Sequence, residues 1–195
     1  VERFYNFSTT KRPSYAKPSA FAFKGDVYRG LDIESLNEDE INYLQDHLRI
    51  LSGLYGVLRP FDVIQPYRLE MGTSLAMNGY KSLYEFWGDK IARALSKDLK
   101  EQSDDIIINL ASNEYFKAAD RKALKGQVVD IVFKDFTNGK YQIIAVYAKM
   151  ARGMMVRYMA KNNISEVEQL KAFDYDGYEL NEKDSSENTL VFKRG

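Results

Sequence analysis

The stretch Val128–Tyr147 reads VVDIVFKDFTNGKYQIIAVY, and it decides the predicted fold. Two runs rich in β-branched and aromatic residues, Val128–Phe133 and Tyr141–Tyr147, flank the pair Asn138-Gly139. Asn-Gly between such runs is the strongest short-range signal of a β-hairpin, because both residues accept the positive φ that a tight turn needs. The sequence therefore predicts two antiparallel strands here, followed by a helix over Lys149–Lys161.

Outward from this hairpin, the apolar spacing predicts further helices and strands. Apolar residues at three- and four-residue steps predict a helix over Asn37–Leu51, with acids in its first turn and Gly53 placed to end it. A broad apolar stripe predicts a helix over Lys81–Leu99, and a capping box opens a short helix within Ser165–Phe173. The remaining expected elements are a buried, central strand at Ile106–Leu110, a helical turn at Glu114–Ala119, and late strands at Gly177–Leu180 and Thr189–Phe192.

Helices and strands alternate without the regular spacing of βαβ units. Together with the hairpin, this order predicts an α+β fold, with a mixed sheet flanked by helices in a single domain over residues 1–195. The sequence has no GxGxxG and no GxxxxGK[ST] pattern, so it gives no support to a Rossmann or P-loop nucleotide site.

The composition excludes several kinds of chemistry. The 195 residues contain no cysteine and a single histidine, His47. This excludes disulfides, thiol-based peroxidase chemistry, iron–sulfur clusters, and zinc sites built on cysteine or on two histidines. We therefore predict no metal and no cofactor. No run of about 18 apolar residues occurs, so no membrane association is expected, and a cytoplasmic setting fits the cysteine-free composition.

The charges balance over the whole chain but are distributed unevenly. There are 28 basic and 28 acidic residues. Residues 137–165 hold five basic residues and no acid, whereas residues 166–187 hold eight acids and two lysines. These segments are either ordinary solvated surface or a positive face beside a negative one.

A glycine-rich turn follows the predicted helix at Asn37–Leu51. Leu51–Leu58 reads LSGLYGVL, with Gly53 and Gly56 three residues apart. Such glycines permit a tight turn between helices whose outward N–H groups bind phosphate, as in helix-hairpin-helix DNA-binding motifs. The alternative is a glycine-rich helix end and turn, and Pro60 leaves room for only a short second helix. The candidate phosphate-binding residues are Ser52, Gly53, Leu54, Tyr55 and Gly56.

Three further groups of residues could bind an anion. Arg68 offers a planar fork for phosphate, although Glu70 could hold it in an ion pair, and Tyr55 and Tyr67 could stack on bases or simply pack. Lys149 and Arg152 share a helix face, which Arg157 extends. Gly153 costs about 1 kcal/mol in a helix interior, which indicates close packing or close approach of a ligand. Polar residues after the predicted strand at Ile106–Leu110 include Ser112, which is equally explained as a helix cap, and Lys117.

At these residues the sequence resembles a known family. The segments AFKGDVY (22–28), LSGLYGVLRP (51–60), QPYRLEMG (65–72), residues 109–117, residues 149–153 and VFKR (191–194) together resemble the YaaA family of bacterial peroxide stress proteins. The resemblance implies an α/β-type fold peculiar to the family. It also implies a cytosolic protein that helps cells survive hydrogen peroxide, is linked to control of free iron, and binds DNA through a positive cleft. It places a helix-hairpin-helix element over residues 37–60. By this resemblance we expect the sequence to lack the family's upstream strand and Ser-Pro-Ala-Lys segment.

The first hypothesis is a DNA-binding protein of the hydrogen peroxide stress response, linked to limiting iron-dependent damage. It would bind the backbone of double-stranded DNA without sequence specificity. Its candidate residues are Ser52, Gly53, Leu54, Tyr55, Gly56, Arg59, Tyr67, Arg68, Lys149, Arg152 and Arg157.

The alternative hypothesis is an enzyme that acts on a small anionic, nucleotide-like substrate, with Glu70 or Asp26 as general base. Its candidate pocket residues are Lys24, Asp26, Glu70, Ser112 and Lys117, together with Tyr67, Arg68, Lys149 and Arg152. A third possibility is an interaction module whose acidic segment Glu166–Glu187 docks a partner.

Overall fold

The structure is a computed structural model that describes residues 7–8, 10, 12–75, 79–119 and 122–195. In its first half the elements are β1 (Lys17–Pro18), α1 (Ser19–Ala22), α2 (Asp26–Leu31), α3 (Glu38–His47), β2 (Ile50–Ser52), β3 (Gly56–Leu58), β4 (Val63–Ile64), α4 (Leu83–Trp87) and α5 (Lys90–Gln102). Then follow β5 (Ile106–Asn109), α6 (Asn113–Phe116), β6 (Gln127–Thr137), β7 (Lys140–Gln142), α7 (Ala145–Lys161), α8 (Val167–Leu170), β8 (Glu179–Leu180) and β9 (Thr189–Arg194).

The chain divides into two compact units. The first unit comprises Val1–Ala22, Arg49–Asp105 and Ala111–Gly126, and the second comprises Phe23–Leu48, Ile106–Leu110 and Gln127–Gly195. The first unit contains two small antiparallel sheets, β1–β4 and β2–β3, with the helices α4, α5 and α6. A single domain over residues 1–195 stays a prediction.

The second unit holds the main sheet. Its strand order is β5-β6-β9-β8, and β7 pairs with β6. Strand β6 runs parallel to β5 and β9, whereas β7 is antiparallel to β6 and β8 is antiparallel to β9. The predicted α+β fold with a mixed sheet is therefore confirmed. The expected strand at Ile106–Leu110 is present as β5, but it lies at one end of the strand order rather than in the centre.

The hairpin that decided the predicted fold is present but shorter than expected. The turn lies at Asn138 and Gly139, whose φ values are 52° and 77°. Strand β7 ends at Gln142, and α7 begins at Ala145, inside the run that was predicted as a strand. The N–H of Ala148 already donates to the carbonyl of Ile144 over 2.8 Å. The β-branched residues of this run favoured a strand, but helical pairing with the following alanine- and methionine-rich segment overrides that propensity.

Two predicted helices have different bounds. Helix α3 begins after Asn37, which forms a capping box with Glu40, but it ends at His47 because residues 50–52 form strand β2. The helix predicted over Lys81–Leu99 is broken into α4 and α5 at Gly88, where φ is +50°. A positive φ cannot occur inside a right-handed helix, so the chain must end one helix there and begin another.

The core of the second unit is built on alternate residues of β6. Val129, Ile131 and Phe133 are buried on one face of the strand, as the period of two requires. Their cluster includes side chains from α7 and aromatic rings from the carboxyl-terminal segment. The Phe133 ring lies 5.5 Å from the Phe192 ring and 5.1 Å from the Tyr178 ring. Stacked and edge-on pairs of this kind stabilise a core beyond their buried area.

Helices α2 and α7 cross through two glycines. A Cβ atom added at Gly153 would lie 1.8 Å from the carbonyl oxygen of Val27, and one added at Gly30 would lie 2.1 Å from the carbonyl oxygen of Met150. Real Cβ atoms do not approach backbone oxygen so closely, so no larger residue fits at either position without moving a helix. Of the two explanations for Gly153 in a helix interior, close packing is confirmed.

We predict that Gly153→Ala destabilises the protein. The added methyl group forces α2 and α7 apart, and overpacking of this kind costs at least about 2 kcal/mol of unfolding free energy, which exceeds the gain of about 1 kcal/mol in helix propensity. Urea unfolding followed by circular dichroism measures the change. Lys149→Ala, at an exposed site on the same helix, is the control and should change the unfolding free energy by less than about 0.5 kcal/mol. An unchanged or more stable Gly153→Ala protein would contradict the close crossing.

Candidate functional site

The glycine-rich segment of the first unit forms a β-hairpin. Strands β2 and β3 pair antiparallel, with Ile50 opposite Leu58 and Ser52 opposite Gly56. The expected helix-hairpin-helix element over residues 37–60 is therefore wrong, because strands stand where the second half of the motif requires a helix. In Ile50–Ser52 and in Gly56–Leu58, buried and half-buried residues alternate. This period of two is that of a strand and not of a helix, so these residues bury their apolar side chains as strands.

The two glycines of this hairpin serve packing within the first unit. A Cβ atom at Gly53 would lie 2.5 Å from the carbonyl oxygen of Leu69, and one at Gly56 would lie 2.8 Å from the Trp87 ring. The indole N–H of Trp87 donates to the carbonyl of Gly53 over 3.0 Å. The N–H of Tyr55, one of the expected outward amides, donates to Ser52 Oγ over 3.0 Å. Both glycines and the Tyr55 amide are thus engaged by neighbours within the first unit.

Tyr55, Tyr67 and the buried Ser52 form one hydrogen-bonded cluster. Ser52 Oγ and the Tyr67 hydroxyl lie 2.6 Å apart, and the Tyr55 ring meets the Tyr67 ring edge-on at 5.4 Å. The Tyr55 hydroxyl accepts the N–H of Gln65 over 3.1 Å. Burial raises the pKa of Tyr67, and the Ser52 hydrogen bond only partly opposes this. Both tyrosines are half-buried and pack against each other, and their stacking on a base stays a prediction.

Tyr115 joins this neighbourhood, although it is not among the predicted site residues. Burial raises the pKa of Tyr115, and the nearby Tyr67, Glu114 and Glu70 raise it further. A Glu114 carboxylate oxygen accepts the N–H of Gly72 over 2.8 Å. The signal that could have found Tyr115 is its position on a short helix among polar residues, directly after the polar end of a strand.

The other pocket residues of the first unit lie on the surface or at a helix end. Lys117 is exposed, and its ammonium group lies 4.7 Å above the Tyr84 ring. Ser112 is the residue before α6 in the N-cap position, although its side chain makes no capping hydrogen bond. Glu70 is exposed. The remaining members of the predicted pocket, Lys24 and Asp26, belong to the second unit.

Two arginines of the first unit share one carboxylate. Asp98 on α5 pairs with the guanidinium of Arg49 and with that of Arg59, the latter over 3.0 Å. Burial alone would raise the pKa of Asp98, but hydrogen bonds and charge from the two arginines outweigh it and hold the pKa below its ordinary value. Arg59 is therefore partly neutralised. Arg68, by contrast, is exposed and forms no ion pair within the part of the first unit that the structure describes.

The basic helix of the second unit is partly neutralised. Arg157 pairs with Asp32 over 3.2 Å and lies 5.6 Å above the Tyr175 ring, and Lys161 pairs with Glu40 over 3.7 Å. These acids come from the segments around α2 and α3, outside the acid-free stretch.

Lys149 and Arg152 have no acidic partner among the described residues. Within the described residues neither forms an ion pair, a hydrogen bond or a cation–π contact. Lys149 is exposed and Arg152 is half-buried. Burial lowers the pKa of Arg152, but an arginine stays charged in a protein. A half-buried guanidinium with no described carboxylate beside it carries a desolvation cost that no internal acid offsets.

The predicted pocket residues of the second unit do not add to this pair. Asp26 begins α2 and binds Arg29 over 3.1 Å, within its own helix. Lys24 is exposed on the segment before that helix. In neither unit does the structure bring the full predicted pocket together.

The sequence is similar to known proteins over nearly its whole length. A family model described as "Peroxide stress protein YaaA" matches residues 1–184. This chain belongs to the YaaA family. A UPF0246 protein of Aliivibrio fischeri is 55% identical over 192 residues, which cover 98% of this chain and 74% of that protein. One from Saccharophagus degradans is 53% identical over 193 residues, covering 99% and 75%.

Two features are absent from the described residues of this YaaA-family chain, a metal-binding group and a membrane-spanning helix. Among the residues that the structure describes, no three histidine, aspartate or glutamate side chains are grouped so that they could hold a metal ion. None of the helices in the described ranges is long and apolar enough to cross a lipid bilayer.

We predict that Asp98 makes the stability of the protein depend on pH. The pKa of Asp98 is lower in the folded than in the unfolded protein, where it is about 4. The ionised carboxylate therefore adds its full share to the unfolding free energy above about pH 4. This share is lost as the pH falls through the pKa of the folded state. The unfolding free energy of the wild type should therefore fall more steeply between about pH 5 and pH 2 than that of Asp98→Asn.

Urea unfolding at a series of pH values tests this. Glu101→Gln, an exposed change on the same helix, is the control and should keep the wild-type slope. Parallel pH profiles for wild type and Asp98→Asn would refute the shared ion pair.

Proposed function

We propose that this YaaA-family protein is a cytoplasmic protein of the peroxide stress response that binds the phosphate backbone of double-stranded DNA through α7 and the hairpin turn before it. The observation that carries the proposal is the unpaired state of Arg152 and Lys149 on a helix whose other cations are paired with acids. A cation that is paired with an acid of the protein gains little from contact with a DNA phosphate. An unpaired cation gains more, because its contact with phosphate releases a counterion from the DNA.

Lys140 extends the same charge. It is exposed on β7, next to the turn at Asn138-Gly139, and within the described residues it has no acidic partner. Three exposed aromatic side chains stand in the same segment, at Phe136, Tyr141 and Tyr147. Tyr141 lies 4.7 Å under the Lys193 ammonium group and Tyr147 lies 4.9 Å under the Arg194 guanidinium. Exposed rings in a segment that also carries cations suit contact with sugars and bases at the edge of a phosphate backbone.

The contacts proposed here are to phosphate, so they carry no sequence specificity. The link to iron-dependent damage would then be indirect: a bound protein covers DNA against oxidants formed near it. The hairpin at Ser52–Gly56 has no part in this proposal.

We predict that Lys149→Gln with Arg152→Gln weakens DNA binding. Fluorescence anisotropy with a short labelled duplex at several salt concentrations measures the affinity and its salt dependence. Loss of two phosphate contacts should weaken binding about tenfold or more and should reduce the slope of log K against log salt by about 2. The matched control is Arg157→Gln with Lys161→Gln, which removes two charges from the same helix where both already have partners.

The control separates local contact from overall charge. Equal losses in both double variants, with thermal unfolding showing that both are folded, would mean that only net charge matters. Absence of any salt-dependent binding by the wild type would overturn the DNA-binding proposal.

The half-burial of Arg152 favours a second candidate function, an enzyme that acts on a small anionic substrate. A recessed guanidinium is easier for a phosphate monoester to reach than for a duplex. Thermal unfolding with inorganic phosphate and with nucleotides tests this candidate, because a ligand that binds the folded state raises its Tm. A rise that disappears in Arg152→Gln, together with no binding of DNA, would favour the enzyme.

A further inference from the structure

Methionine is concentrated on one helix of this chain. Four of the six methionines lie on α7, at Met150, Met154, Met155 and Met159. Because the sequence has no cysteine, the thioether is its most readily oxidised sulfur group. In a family of peroxide stress proteins, the exposure of these sulfur atoms decides which of them hydrogen peroxide can oxidise.

The four side chains differ in their access to solvent. Met155 is fully buried and Met154 is 7% exposed, whereas Met150 and Met159 are half-buried. Met71, in the first unit, is also fully buried. Among the residues that the structure describes, Met150 and Met159 therefore carry the thioethers that an oxidant in solution can reach most easily.

Met150 differs from Met159 because it lines a groove. The second unit has an open groove of about 560 Å³, lined by Met150, Met154, Arg157, Tyr175 and Asp176. Arg157 is paired with Asp32 and Asp176 with Arg194. A guanidinium has five N–H donors and a carboxylate about four acceptor sites, so each group has further capacity beside the two thioethers. Hydrogen peroxide both donates and accepts hydrogen bonds, so this groove can hold it next to sulfur, and the groove far exceeds it in size.

We propose that Met150 is a modification site at which hydrogen peroxide forms methionine sulfoxide. A lone pair of the thioether sulfur attacks one peroxide oxygen, the O–O bond breaks, and an S–O bond forms. The second oxygen leaves as hydroxide and takes the proton of the transferred oxygen, which gives water. The sulfur is oxidised by two electrons and the peroxide is reduced by two.

The groove also accommodates the product. Sulfoxide formation turns an apolar side chain into one with a strong acceptor oxygen, and the Arg157 guanidinium lines the same groove. A hydrogen bond between them would offset the cost of a polar group in partly apolar surroundings. The modification is of the reversible kind, because methionine sulfoxide reductases restore the thioether. This inference does not depend on DNA binding.

Oxidation of the folded protein by dilute hydrogen peroxide tests the proposal. Samples are quenched at intervals, digested, and analysed by mass spectrometry for the sulfoxide fraction at each methionine. Each rate is divided by the rate at the same residue in the protein unfolded in guanidinium chloride. We expect Met150 to react about tenfold or more faster than the buried Met155 and Met71, because burial excludes the oxidant.

Met159 is the matched control, since it lies on the same helix, is half-buried and does not line the groove. A normalised rate at Met150 that clearly exceeds the rate at Met159 supports the site. A rate equal to or below that of Met159 overturns it. In Met150→Leu, a change that keeps the volume, the first oxygen atom taken up by the α7 peptide should appear more slowly than in the wild type. Unchanged first uptake would likewise overturn the assignment.

Discussion

The contact between the backbones of α2 and α7 at Gly30 and Gly153 constrains the rest of the second unit. No side chain larger than hydrogen fits at either position, so the helices approach until backbone meets backbone. This holds one side of α7 against α2, while buried residues of the same helix pack on the sheet through Ala148, Ala151 and Met155. A helix fixed on two sides has little freedom to rotate, so the directions of its charged side chains are fixed as well.

The charge pattern of α7 follows from that crossing. Asp32 comes directly after α2, with φ of +47°, and the crossing brings it to Arg157. Glu40 on α3 reaches Lys161 in the same way. The carboxyl-terminal half of α7 is thereby neutralised, and the unpaired cations are left in its amino-terminal half. Salt screens the contacts of buried charges less than those of exposed ones, so a contact of the half-buried Arg152 with an anion would be screened less than one of the exposed Lys149.

The β2–β3 hairpin shows how one glycine pattern can serve packing instead of binding. Gly53 and Gly56 make room for Leu69 and the Trp87 ring, and the Ser52 hydroxyl takes up the N–H of Tyr55. The same spacing in a helical hairpin would leave its amides free for phosphate. Sequence spacing alone cannot separate the two cases, because the difference lies in what packs on the turn from more than ten residues away.

Much of the fold could be predicted from local pattern, whereas much of the site could not. The Asn138-Gly139 turn, the start of α3 at Asn37, and strands β5 and β9 follow from turn chemistry, capping and apolar runs, which are local signals. Leu51 fits a helical step equally well, so its place in β2 was missed. The neutralisation of Arg59 and Arg157 depends on partners 39 and 125 residues away in the chain. No local pattern reports such pairs, so the predicted basic site included cations that the fold neutralises.

The central claim is that the unpaired cations around the start of α7 meet the DNA backbone. A lysine-modification footprint tests it most directly: the protein is acetylated briefly with and without a saturating duplex, and each lysine is quantified by mass spectrometry. The account predicts that Lys140 and Lys149 lose reactivity when DNA is bound, while Lys161, which is paired with Glu40, and Lys171, which is paired with Glu168, keep theirs. Protection of Lys161 and Lys171 with Lys149 unchanged would contradict it.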